Sequence, residues 1–152
     1  MNFFRTDDQA TLNSLLKAAR ETLDHYRDAI ELVEESHEQL FRDIGQQRRI
    51  FIQRIENAVR ASGDLPTMPD PDKEAGEMLI HHVAALLKSN YAADLMQQRI
   101  DGEKNLANLA DEAKNIEPKM QDKNLPDEFA VHVAEAITRL QHAHAQLSTR
   151  ET

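Results

Sequence analysis

The apolar positions of this chain fall in long stretches with helical spacing. Leu12, Leu16, Ala19, Leu23, Tyr26, Ile30 and Val33 alternate by four and three residues, which places them on one stripe of an α-helix. Thr6 followed three residues later by Gln9 has the form of a capping box. The pattern predicts a first helix over about 8–35. Ser36 suits the N-cap of the next, predicted over 37–61, with a stripe of Phe41, Ile44, Arg48, Phe51, Ile55 and Ala58. Arg48 interrupts that apolar row. Ser62-Gly63 suits a helix end, and Pro66, Pro69 and Pro71 cannot continue a helix.

A shorter amphipathic segment follows over 73–88, carrying Met78, Leu79, His82, Val83, Leu86 and Leu87. Ser89-Asn90 offers another cap. A helix over 91–116 is predicted with a seam of Tyr91, Leu95, Gln98, Gly102, Asn105, Leu109, either Glu112 or Ala113, and Ile116. Pro118 and Gln121–Asn124 mark a turn. Pro126 suits a first helical turn, and Phe129, Val133, Ile137, Leu140, His144 and Leu147 make the inner face of a last helix over 126–148. The expected architecture is all-α: one domain over 1–152, an antiparallel four-helix bundle with a short extra helix in the connection between its second and third long helices.

Composition narrows the function classes. A chain of 152 residues with 40% hydrophobic content buries a core without staples. There is no Cys, so disulfides, thiolate catalysis and zinc fingers are out of reach. No signal peptide and no apolar run of membrane length is visible, so a cytoplasmic location is expected. The net charge of −9 disfavours nucleic acid and anionic membrane as partners. Residues 44–60 carry Arg48, Arg49, Arg54 and Arg60 against Glu56, beside an acidic stretch over 21–43; intramolecular pairing is the simpler reading. No phosphate-binding glycine loop or nucleophile elbow is present, and no catalytic residue is assigned.

Several short motifs carry a family likeness: Leu12-Asn13 with Leu15-Leu16, Tyr26-Arg27 with Ala29, Leu40-Phe41, Gln47-Arg48 with Phe51, Gly63, Gly76, Gly102-Glu103, Leu125-Pro126 and His144. Over about residues 10–148 the chain resembles the ferritin-like four-helix-bundle proteins, and within them a bacterial family that is a domain of unknown function. The resemblance implies the fold and assigns no activity.

The resemblance also raises a di-iron or di-manganese centre, which needs a Glu from each of two helices and Glu-x-x-His from the other two. The literal match, Glu34-Glu35-Ser36-His37, falls at the expected turn between the first two helices. Gln46-Gln47-Arg48-Arg49 stands where the second helix would need its motif, and His132 and Glu135 occur in reversed order. No metal centre or other cofactor is therefore expected. The nearest approach to a cation site is Glu21, Asp24, His25 and Asp28 on the first helix, whose plain reading is a solvated face with Arg27 bridging Asp24 and Glu31.

Inward polar residues are the remaining signal. Arg48, Gln98, Asn105 and His144 fall on seam positions, and Asp101 and Glu103 flank Gly102. A buried arginine needs a partner, so Arg48 is expected to pair with Glu103 or Asp101, with His144 joining. Such a layer either fixes helix register or lines a small pocket made roomy by Gly102. Three functions follow. The first is a non-enzymatic bundle acting through protein contacts, with a partner protein or as a homodimer, using the 78–87 segment or the seam of the first helix. The alternative is a metal-binding or oxidative-stress protein. The third is a small-ligand carrier using the polar layer.

Overall fold

A computed structural model describes residues 4–68 and 91–150. Four long helices account for most of them: α1 (Asp7–Ile30), α2 (Glu35–Ala61), α3 (Tyr91–Ala113) and α4 (Leu125–Arg150). A 3-10 segment, Lys114–Lys119, follows α3. Among the described residues there is no strand. The segment expected as a short helix over 73–88, with His81, His82 and Gly76, lies outside the described residues.

The first cap is the expected one. The Thr6 hydroxyl accepts from the Gln9 backbone N–H, and the Gln9 side chain accepts from the Thr6 N–H. The first turn of the chain differs from expectation. α1 stops at Ile30, and α2 starts at Glu35 behind Glu34 rather than behind Ser36. Glu31, Glu34 and Glu35 explain it: carboxylates oppose the negative end of a helix dipole and suit the positive end. The acids therefore terminate α1 and open α2, where Glu35 and Glu38 occupy the first turn. Gly63 ends α2 region as expected, at φ 87°. The expected 91–116 helix tightens into the 3-10 segment after Ala113.

α1 packs on α2 and α3, and α4 packs on α3 and α2, which closes a ring in the order α1, α2, α4, α3. Two apolar clusters fill it. One joins Leu12, Leu16, Ile55, Leu106, Ala110 and Phe129; the other joins Tyr26, Phe41, Ile44, Leu95, Met96 and Leu140. The seam of α1, considered above as an interface, is spent inside: Leu12, Leu16, Ala19, Leu23 and Tyr26 are all buried. No helix among the described residues is long and apolar enough to cross a membrane.

Beyond Ser62 the chain runs along α1. Gln9 donates to the Ser62 carbonyl, the Asn13 amide donates to Asp64 and to the Leu65 carbonyl, and Asn13 Oδ1 accepts from the Thr67 backbone and hydroxyl. Arg20 donates to the Thr67 carbonyl. From Gln9 to Arg20 is roughly 16 Å along the helix at about 1.5 Å per residue.

Candidate functional site: a buried polar layer

Between the two apolar clusters lies a layer of polar side chains, and its centre is Arg48. Arg48 and Glu103 are both 0% exposed. Each faces inward because it occupies a core position of its helix: Arg48 lies four residues after Ile44 and seven before Ile55, and Glu103 sits between Arg99 and Leu106, all buried.

The Arg48 guanidinium reaches the three other helices. Its Nη2 donates to both oxygens of Glu103 on α3, at 2.7 and 2.6 Å. Its Nε donates to His132 Nε2 on α4 at 2.9 Å. Its Nη1 donates to the Thr22 hydroxyl on α1. The Thr22 hydroxyl in turn donates to the Ala19 carbonyl at 2.7 Å, so it both accepts and donates. The Tyr26 hydroxyl donates to Glu103 Oε1. A desolvated ion pair is tolerable only when the remaining lone pairs and protons are also met, and here the partners of Arg48 come from the three other helices.

Aromatic rings wall the layer. The His132 ring stacks on Phe51, centroids 4.9 Å apart and planes within 16°. The guanidinium lies 5.8 Å from the Phe129 ring and 6.0 Å from the Tyr26 ring. Because Arg48 always donates, His132 Nε2 must accept, which puts the imidazole proton on Nδ1 and keeps the ring neutral. Burial, and then the adjacent Arg48 charge, push the His132 pKa down to about 3. Burial, then the Glu103 carboxylate, raise the Tyr26 hydroxyl well above its ordinary range.

A second buried cation lies one turn from Glu103. Arg99 is buried with its Nε unpartnered, and its guanidinium lies 6.0 Å from the centroid of the Tyr26 ring. Burial lowers its pKa, opposed by the nearby Tyr26, Glu103, Tyr91 and Asp28.

Of the inward polar residues expected from the sequence, Arg48 and Glu103 come together. The others do not join them. Gln98, Asp101 and Asn105 are exposed; Asp101 takes a hydrogen bond from Gln97 on the surface. The seam of α3 runs Met96, Arg99, Glu103, Leu106, Ala110 and Ala113, one residue out of step with the expected row after Leu95. One residue is about 100° on a helix, enough to turn every middle position outward. The histidine of the layer is His132 and not His144. The two lie twelve residues apart on α4, roughly 18 Å along the axis, and His144 is half-buried elsewhere. Gly102 opens no pocket either, since a Cβ there would sit 3.8 Å from Thr22 Cγ2 in ordinary contact.

Thr22 and His132 were missed, and both had a signal. Leu12, Leu15, Ala19, Thr22, Tyr26 and Ala29 form a second three–four row on α1, all buried. On α4, His132 stands three residues after Phe129 and four before Ala136, both buried.

Glu21, Asp24, His25 and Asp28 do not assemble as a ligand set. Asp28 turns into the bundle and is buried, whereas Asp24 pairs with Arg27 at 3.5 Å on the surface. Among the described residues no three His, Asp or Glu side chains are grouped to hold a metal ion. The Glu34–His37 motif straddles the start of α2, with only His37 buried. Compared with protein-family models, with curated proteins and with solved structures, the chain matches none.

Proposed function

We propose that this chain is a cytoplasmic, non-enzymatic bundle of antiparallel, ferritin-like topology that acts through protein contacts, with a partner protein or a second copy of itself. The side-chain pairs support the topology. Gln9 meets Ser62 and Tyr26 meets Phe41, so α1 and α2 run in opposite directions. Arg54 meets Glu128 and Asp43 meets Arg139, so α2 and α4 do too. Tyr91 shares a cluster with Tyr26, and Ala113 shares the other with Leu12, so α1 and α3 are also opposed. α2 and α3 then run the same way, with the end of α2 and the start of α3 at opposite ends of the bundle. Ser62–Thr67 climb along α1 toward the end where α3 starts. A long crossover joining such ends is a feature of ferritin-like bundles.

The interior favours a scaffold over a binding chamber. The polar layer is filled by its own side chains, and Arg48 places a fixed positive charge where the four helices converge. That charge supports a bundle without a dinuclear metal centre. The groups a small ligand would use in the polar layer are already bonded to one another.

The observation that carries the protein-contact reading is on the outside. Ile50 is 65% exposed and Val131 58% exposed. Both line a groove of about 500 Å³ between α2 and α4, floored by Phe51 and edged by Gln47, Asp127 and Glu135. Arg48–His132 and Phe51–Phe129 pair across the same seam, so Ile50 and Val131 stand at one level. Two exposed aliphatics lining one groove make this face the candidate contact surface.

Sedimentation across a concentration series, with cross-linking in cells, tests this. Replacing Ile50 and Val131 together by Glu should leave stability within about 0.5 kcal/mol, as surface changes do, while abolishing self-association or the cross-linked partner. A wild-type chain that stays monomeric and keeps the same cross-links after both substitutions contradicts the reading.

A further inference from the structure

At the end of the α2–α4 seam is a second groove with different chemistry. It encloses about 500 Å³ and is lined by Ser36, His37 and Leu40 of α2 and by Thr138, Arg139, His142, Ala143 and Gln146 of α4. In a chain of net charge −9, this lining holds an arginine and two histidines and no carboxylate.

Three features give it polar groups for a ligand. The first is the start of α2, a helix of 27 residues whose N-terminal N–H groups receive no cap bond from the Glu34 side chain. The His37 and Glu38 N–H groups turn back to the Glu34 carbonyl; those of Glu35 and Ser36 have no such bond among the described residues, and they sit at the positive end of the helix dipole. The second is His37, a lining residue only 7% exposed whose Nδ1 has no partner. A buried ring nitrogen left unmet calls for a ligand or water. The third is the pair Arg139 and His142. Arg139 spends one N–H on Asp43 at 3.1 Å and keeps the rest of its fork. His142 Nε2 lies 3.2 Å from the Gln146 amide nitrogen, a contact that suits the ring tautomer with its proton on Nδ1.

We propose that this groove is a binding site for an oxyanion head group, a phosphate or carboxylate carried on a small organic body. The N–H groups at the start of α2, His37, His142 and Arg139 hold the head, and Leu40 and Ala143 contact the body. The neighbouring acids are accounted for. Glu38 is bound to Arg42 at 2.6 Å and Asp43 to Arg139, and Glu34 and Glu35 are exposed and outside the lining. Their charge weakens the site, so the bare anion is expected to bind in the millimolar range.

The test is an amide-resolved NMR titration of the full chain with sodium phosphate, exchanged for chloride at constant ionic strength, and a parallel titration with acetate. The expected result is saturable shifts confined to residues 35–40 and 138–146. Arg139→Gln should weaken that binding about tenfold, the scale of one lost charge-assisted contact. Arg139 is 44% exposed in its side chain, so the variant should melt like wild type. His142→Gln is the second variant and should weaken binding without moving the melt. Saturation by acetate alone supports the site and assigns it a carboxylate. Linear, unsaturated shifts with both anions overturn the proposal, as does saturation that neither substitution alters.

Discussion

Arg48 on α2 holds both oxygens of Glu103 on α3, at 2.7 and 2.6 Å, with both residues wholly buried. The two helices are not neighbours in the ring. The pair therefore bridges its diagonal, and the bonds to Thr22 and His132 tie in the remaining two corners. A single side chain on α2 thereby bonds to all three other helices. Apolar seams are tolerant of sliding, because a leucine meets the next turn almost as well as the last. A guanidinium bonded to three partners is not, because a shift of one turn leaves several buried polar groups unmet.

His132 makes this arrangement pH-dependent. Its folded-state pKa of about 3 lies below the ordinary value of 6.5, so the unfolded chain binds more protons in between. Its contribution to stability is fully present above about pH 6.5 and is lost as the pH falls toward 3. The slope should approach about 1.4 kcal/mol per pH unit in that window, one proton's worth. Urea denaturation at a series of pH values checks it: His132→Gln, which does not titrate, should show a shallower slope than wild type. Equal slopes would remove His132 as the source.

Asn13 holds the segment that leaves α2. Its side chain meets Asp64, Leu65 and Thr67. Asn13→Ala should cost about 1–3 kcal/mol, the range for stranding buried polar groups. Hydrogen exchange should show the Thr67 amide losing protection while amides within α2 keep theirs. Unchanged exchange at Thr67 would mean the segment is held by other contacts.

Gly102 sits within α3 with space for a methyl group. Gly102→Ala should stabilise the protein by about 0.5–1 kcal/mol through helix propensity, read as a higher denaturation midpoint. A loss of stability would show that α3 approaches α1 more closely than the 3.8 Å contact to Thr22 implies.

The legible parts of the fold were those set by local chemistry. The capping box at Thr6, the break at Gly63 and the start near Pro126 each depend on a few adjacent residues. Arg48 and Glu103 were legible as inward charges needing each other. The middle of α3 was not. Between Gln97 and Asn105 it offers two polar rows about 100° apart, and what selects the row with Arg99 and Glu103 is the partners on α1 and α2, far away in sequence. His132 was obscured for the same reason. Its neighbour Val133 satisfies the apolar pattern alone, and only the approach of Arg48 explains a buried imidazole beside it. The groove with Ile50 and Val131 depends on two helices meeting at one level, which no single helical pattern contains.

The most direct test of the Arg48 layer is a double-mutant cycle measured by urea denaturation with Arg48→Met, Glu103→Gln and the two combined. Removing Arg48 alone should cost about 3–5 kcal/mol, because it strands a buried carboxylate. The combined variant should lose less than the sum of the two singles, with a coupling of about 2–3 kcal/mol. Strictly additive losses, or an Arg48→Met variant as stable as wild type, would contradict the account that this ion pair holds the four helices in register.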